Sequence, residues 1–319
     1  MKKTRNSVCA LLCAVASNSV FAVEGGQSVG AAAFGIEGQG YFALPPPGGL
    51  YWLNYLSFVD SDKILDNKGR NTLPGAEISA TINVFRLSYF PETELLGAHW
   101  RALEVFLPYI KSEMKFGGQR TSASGWGDLA IDPFGLAWKL ENANIGFSTT
   151  VSFPTGSYRQ SNAMNLGKNH VSWLPQFFYT RYLKGNAGNI SFHAGYEYNF
   201  RNRDGHISAM NPTGADYKSG QVLHMEAAYA RNLTPQLSLG ASVVASQQIT
   251  DDKIYGDRDA NQVLQDEFGG NRYKNLSLGL SAQYLVADRI PVRLTYTRDV
   301  YARSKSKNGA LTLMAVFKL

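Results

Sequence analysis

Cysteine is nearly missing from this chain: the two present, Cys9 and Cys13, both sit close to its start. That excludes a disulfide framework and a thiolate metal site for everything that follows. Long apolar runs are missing too. From Val23 to Leu319 no stretch approaches the roughly 20 apolar residues that a membrane-crossing helix requires, and the mean hydropathy is slightly negative. Charge of one sign is scarce: 31 Lys and Arg stand against 25 Asp and Glu, a net +6, scattered along the chain. Scattered charge gives no footprint for nucleic acid. Nothing offers a nucleotide site, so no cofactor is implied. None of this argues against a membrane β-barrel, which dilutes its apolar residues one in two and keeps mean hydropathy low.

What is present points to such a barrel. Residues 1–22 read as a secretory signal peptide, with a basic head (Lys2, Lys3, Arg5), an apolar run from Val8 to Ala16, and Ala22 at the expected cut. Leu12 before Cys13 is too large for a lipoprotein cut there. The other end is the clearest signal. Leu311, Leu313, Ala315, Phe317 and Leu319 take every second place up to the last residue, with Thr312 and Lys318 among the places between. A strand sends alternate side chains to opposite faces, so this segment offers one apolar face and one mixed face. Finished amphipathic strands of this kind close transmembrane barrels, where no free edge is tolerated in lipid.

The same period of two recurs. Ile190, Phe192, Ala194, Tyr196, Tyr198 and Phe200 alternate with Ser191, His193, Gly195, Glu197 and Asn199, and Leu276, Leu278 and Leu280 alternate with Ser277, Gly279 and Ser281. Period 2 wins over period 3.6 throughout. Strands are expected near 49–58, 77–90, 99–116, 127–140, 144–153, 171–183, 189–201, 217–231, 237–250, 273–286, 290–303 and 310–319. The fold class is therefore all-β, a transmembrane antiparallel barrel of about twelve strands spanning 49–319. Aromatic residues at 12% suit interfacial girdles. Long links (60–76, 154–170, 202–216, 251–272) alternate with short ones (141–143, 184–188, 232–236, 287–289), as outer loops alternate with periplasmic turns. Three links fit less well: 117–126 is of middle length, 304–309 is short, and 91–98 is long for a turn. Parity slips in 77–90 and 99–113, where Asn83 and Arg86 cannot both face inward without a bulge.

Residues 23–48 do not read as a strand. They are rich in Gly and Ala and end in Leu44, Pro45, Pro46, Pro47 and Gly48, a stiff stretch that lacks ladder donors. Such a segment either leads in from the periplasm or folds into the lumen.

Several stretches in sequence resemble one family. They are Leu44 to Tyr51 with Asn54 and Tyr55; Gly125 to Leu129 with Pro133 and Trp138; Pro154 to Tyr158; Asn165 to Gly167; Tyr198 and Asn199; Tyr217 to Gly220 with His224; and Gln248 to Asp252. In that order they resemble the phenol meta-pathway degradation family of outer-membrane proteins, across nearly the whole mature chain. The resemblance implies a transporter-like barrel for aromatic and other hydrophobic compounds, with no catalytic residues carried over.

Candidate residues follow from the inner faces. If the hairpin is centred near Ala209, His193 falls opposite Glu226, with Glu197 and His224 nearby. Arg293, Thr295, Thr297 and Asp299 form another inward set. Such charges either pair and fill the barrel or line a selective constriction. A metal at His193 and His224 is disfavoured, because two imidazoles make a poor site. Asp128 and Asp132 share a face and could cap loops, bind a cation or sit in the permeation path, with turn or register chemistry favoured, and Pro45, Pro46 and Pro47 are expected to border the path. A hydrolase needs a Ser beside a His at the membrane boundary; His206 and Ser208 lie in a long loop and lack the surrounding residues. The acidic loop from Asp251 to Glu267 matches no calcium-loop spacing. Arg159, Lys168, Arg201, Arg203, Arg258, Arg272, Lys274, Lys305 and Lys307 fall on the outer side, suited to lipopolysaccharide phosphates. The expected partners are outer-membrane lipid and lipopolysaccharide, the barrel-assembly machinery and a small hydrophobic or aromatic solute. The expected function is passive uptake, set against a non-conducting structural or adhesive barrel and, third, a lipid hydrolase.

Overall fold

The computed structural model describes residues 33–37, 39, 48–208, 211–287 and 289–319. The signal-peptide reading and Pro45, Pro46 and Pro47 lie outside the described residues. Thirteen stretches form one antiparallel sheet: β1 (Gly49–Ser61), β2 (Glu77–Phe90), β3 (Trp100–Phe116), β4 (Gln119–Trp126), β5 (Leu129–Lys139), β6 (Ala143–Phe153), β7 (Ser172–Tyr182), β8 (Gly188–Asn199), β9 (Val222–Asn232), β10 (Leu237–Gln248), β11 (Lys274–Val286), β12 (Ile290–Arg303) and β13 (Gly309–Lys318). β4 and β5 are two halves of one stave, since both pair with β3. Twelve staves result. The barrel closes where β13 pairs β1, with Tyr55 opposite Met314 and Asp60 opposite Gly309.

Closure explains the alternating C-terminus. Leu311 and Leu313 are about two-fifths exposed on the outer wall, while Thr312 is buried and shares a 2.8 Å hydroxyl contact with Ser57 across the seam. Lys318 turns inward beside the Tyr51 ring. Likewise Leu276, Leu278 and Leu280 face out and Ser277 and Ser281 face in. The small inner residues leave room in a barrel that side chains would otherwise fill.

Two expectations need correction. Residues 119–126 are strand, not loop: the turn is Gly117 (φ +56) and Gly118 (φ +76), a left-handed pair that suits a tight hairpin. Nor is there a bulge in β2. Its pairing with β1 and β3 runs without interruption, so Arg86 faces in and Asn83 faces out. The outward amide meets Asn54, whose Nδ2 donates to Asn83 Oδ1 at 2.7 Å. Two polar side chains on a lipid-facing wall thus satisfy one another. Bulges do occur at 102–104, 131–134 and 276–277.

The long loops at one end pack inward. Ile64, Leu73, Met114 and Met164 form one buried cluster there, and Ala80, Ile82, Ile110 and Leu166 a second. The loop between β10 and β11 carries a helix, α1 (Arg258–Phe268), capped by Asp257, which accepts from Ala260 N at 2.8 Å. That carboxylate at a helix start needs no cation to explain it.

Candidate functional site

The lumen is built from alternate positions of neighbouring strands. On β8 and β9 the pairing sets His193 opposite Glu226, as the hairpin centre requires. His193 Nε2 donates to Gln176 Oε1 at 3.0 Å; the tautomer follows because the Gln176 amide is spent on Ser148 and Thr150. Next along, Glu197 binds His224 Nε2 at 3.2 Å through one oxygen and Lys168 Nζ at 3.3 Å through the other. All of these side chains are buried. Buried charges persist when paired and hydrogen-bonded, and these are.

Residues 33–37 and 39 lie across this lumen. The Phe34 ring lies parallel to the His193 imidazole with centroids 3.8 Å apart, and His193 in turn stacks on Phe178 at 4.3 Å. Gly35 N donates to Glu226 Oε2 at 2.8 Å. Glu37 spans the barrel: one oxygen accepts from Tyr55 Oη at 2.6 Å, the other pairs with Arg293 Nη1 at 2.7 Å, and its backbone carbonyl accepts from the same guanidinium at 2.6 Å. Arg86 stands 3.5 Å from Glu37 and is held at 2.6 Å by Glu104. Gln39 reaches Ser238 on the far wall.

The crossing divides the interior. Toward the short turns lies a chamber of about 960 Å³, bordered by Tyr51, Leu53, Phe90, Phe106, Phe178 and Val316 among others. That is within the size range of small-molecule sites. Toward the long loops lies a second chamber of about 220 Å³, bordered by Ser57, Val59, Glu197, Asn199 and Asp299. Ile36 borders both, so the segment forms the wall between them.

Two knots close the outer end. Asp128 accepts from Gly156 N at 2.9 Å and Lys168 N at 2.8 Å, tying the loop of 154–171 to the β4–β5 break. Gly127, Gly156 and Gly167 meet there: a Cβ on Gly156 would fall 2.7 Å from the Gly127 carbonyl carbon and 2.8 Å from Gly167 Cα. In the second knot Asp252 accepts from Gly220 N, Gln248 Nε2, Asn271 Nδ2 and Tyr217 Oη. Burial pushes the Asp252 carboxyl up to about 6 against those bonds. Asn199 links the knots, donating to Gly220 O at 2.9 Å and accepting from Lys168 and His170. Six of the stretches that carried the family resemblance, those at 125–129, 154–158, 165–167, 198–199, 217–220 and 248–252, therefore converge in space.

The remaining candidates fall as follows. Asp132 does not cap a loop; it sits in the β5 bulge opposite Glu104 and accepts from Phe134 N and Thr149 N. Asp299 binds Lys305 at 2.9 Å and Ser277 at 2.5 Å. Lys168 and Lys305 turn into the barrel instead of outward to lipopolysaccharide. Arg201 and Arg272 pair with Asp216 and Asp251. His206 Nε2 is bonded to Asn162 O, and Ser208 Oγ accepts from Asn211 N, so these bonds do not join the two into a nucleophile and base. Among the described residues no group of three or more metal-ligating side chains gathers. Phe34, Glu37, Tyr55, Arg86, Glu104 and Phe178 were missed. Parity would have found Arg86 once Asn83 was turned outward, and Glu37 is the one acid between Gly25 and Val59.

Comparison with known proteins places these features in context. A family model described as "Putative MetA-pathway of phenol degradation" matches residues 61–315. An outer membrane channel from Pseudomonas putida F1 is similar in structure, with a TM-score of 0.76 and 18% identity over 88% of this chain and 98% of that one. The beta domain of the Bordetella autotransporter BrkA is similar at a TM-score of 0.51 and 8% identity, over 85% of this chain and 100% of that domain. Among curated proteins none matches.

Proposed function

The chain belongs to this phenol-degradation family of outer-membrane barrels, and from that premise we propose that it is a passive channel for small hydrophobic or aromatic solutes. One observation carries the reading: two chambers lie in line through the barrel, the larger bordered by aromatic and aliphatic side chains, with a short, separately anchored segment between them. The apolar faces of that border stand beside charged groups such as Arg86, Arg101, Glu104 and Arg293, a mixture that suits an aromatic ring bearing polar substituents. Residues 1–22 are removed as a signal peptide in this reading, and residues 23–48 enter the lumen and hold the resting channel closed. Loop cations that remain exposed, such as Arg203 and Arg258, meet lipopolysaccharide phosphate. The pairing of lumenal charges and the crossing segment favour a second reading as well, a barrel that never conducts.

Uptake of 4-hydroxybenzoate into liposomes carrying mature protein separates the two, since its charge keeps leakage through lipid slow. Flux should rise several-fold when residues 23–48 are deleted. No flux above protein-free liposomes in either form sinks the channel reading.

A further inference from the structure

Phe34 occupies a slot with the attributes of a ligand site. One side is the His193 imidazole, parallel to the ring within 6° at 3.8 Å and backed by Phe178. His224 flanks the ring at 5.1 Å. The floor is Gly195, where a Cβ would come within 3.0 Å of Phe34 and of Leu174. A glycine in the interior of a strand weakens it, and it is used where another group must approach closely. Glu226 lies within reach as an acceptor, at present taking the Gly35 N–H. His193 is fixed in orientation by Gln176, so the stacking surface is set before anything docks on it.

We infer that this slot is the solute-recognition subsite of the channel, that it takes a planar aromatic ring bearing a hydroxyl donor, and that such a solute binds by displacing Phe34. The hydroxyl replaces the Gly35 amide as donor to Glu226, and the ring replaces Phe34 on His193. The chain's own segment is thus a tethered competitor for the solute's place. This rests on the channel reading for its biological sense, but the subsite is tested by binding and not by flux. Aromatic pairs contribute about 0.5–1.5 kcal/mol beyond area burial, equivalent to a preference of about two- to tenfold for an aromatic over a saturated ring.

The probes are 4-hydroxybenzoate and 4-hydroxycyclohexanecarboxylate, which share a carboxylate and a hydroxyl but differ in the aromatic plane. In nanodiscs, Phe34→Ala should bind the aromatic probe about tenfold more tightly than the wild type, because the competitor is gone, and more tightly than it binds the saturated probe. Adding Gly195→Val, whose side chain would enter the slot while suiting a strand, should lose about tenfold. A heat-modifiable gel shift verifies that each variant is a folded barrel. In the wild type, the aromatic probe should speed hydrogen exchange of the Gly35 amide and the saturated probe should not. Equal binding of both probes to Phe34→Ala, indifference to Gly195→Val, or an unchanged Gly35 amide overturns the subsite. If flux persists in that event, the channel reading survives alone; if binding follows the pattern and flux is absent, the subsite stands and the channel reading falls.

Discussion

Replacing Glu37 by Gln should loosen the segment that crosses the lumen. The substitution keeps the shape and one acceptor oxygen but removes the charge shared by Arg293, Arg86 and Tyr55. Hydrogen bonds to charged groups are worth about 1.5–3 kcal/mol against 0.5–1.5 for neutral ones, so the close Arg293 pair loses about 1–1.5 kcal/mol. The longer Arg86 contact adds a few tenths, in keeping with its 3.5 Å separation and partial exposure. The full cost of stranding a buried charge, about 3–5 kcal/mol, does not apply. Arg86 keeps Glu104 at 2.6 Å, and Arg293 keeps Gln283 and the Glu37 carbonyl. A total of about 1.5 kcal/mol corresponds to roughly tenfold in the docked-to-free ratio of the segment. Hydrogen exchange at residues 33–39 should accelerate by about that factor, with a parallel rise in single-channel open probability. Exchange within twofold of wild type would show that Glu37 does not hold the segment, and the reasoning from its ion pairs would fail.

Other outcomes follow from single contacts. Asn54→Leu strands the Asn83 amide on the lipid-facing wall at a cost of about 1–3 kcal/mol, whereas Asn54→Leu with Asn83→Leu should recover most of it; unfolding into lipid vesicles measures both, and additive losses would refute the pairing. Gly156→Ala drives a methyl into the Gly127 and Gly167 backbones and should lower stability by about 1–3 kcal/mol, read as a lower unfolding temperature. Asp252 has a folded pKa raised to about 6 from the ordinary 3.8, so the folded state holds the proton more tightly than the unfolded chain. Its contribution to stability is therefore greatest at or below about pH 4, falls as pH rises to about 6, and is level above that, by on the order of 2–3 kcal/mol in all. Thermal unfolding between pH 4.5 and 7 should show that slope in the wild type and lack it in Asp252→Asn.

Much of the barrel was legible because its physics is local. Alternation in β8 to β13, interrupted at the 276–277 bulge, fixes which face is wet, and the His193–Glu226 register follows from the turn centre by counting. Parity failed where one residue broke the rule. The choice between Asn83 and Arg86 stayed open because a lone amide is costly in lipid, and the partner that satisfies Asn83, Asn54, lies 29 positions away on the neighbouring strand. The glycines at 117 and 118 were read as part of a loop because the polar and small residues after them, Gln119 to Gly125, carry no apolar alternation. The lumenal contacts of Phe34 and Glu37 were out of reach for another reason. They join the segment to walls up to 256 positions away, and no periodicity encodes a contact made by an irregular chain.

The way the segment is held bears on whether it can leave. Most of the wall groups that touch it have a second partner in the wall: Arg86 has Glu104, Arg293 has Gln283, and His193 has Gln176 and Phe178. A wall built only to be permanently sealed would gain from apolar packing, since buried ion pairs are poor sources of net stability. Here departure strands neither guanidinium, which keeps the undocking cost well below the sum of the contacts the segment makes. Tethering near β1 holds the segment at a millimolar-scale effective concentration, so modest affinity suffices to return it. The arrangement is one in which a solute with a few kcal/mol of its own contacts in the same slot competes with the plug on nearly equal terms.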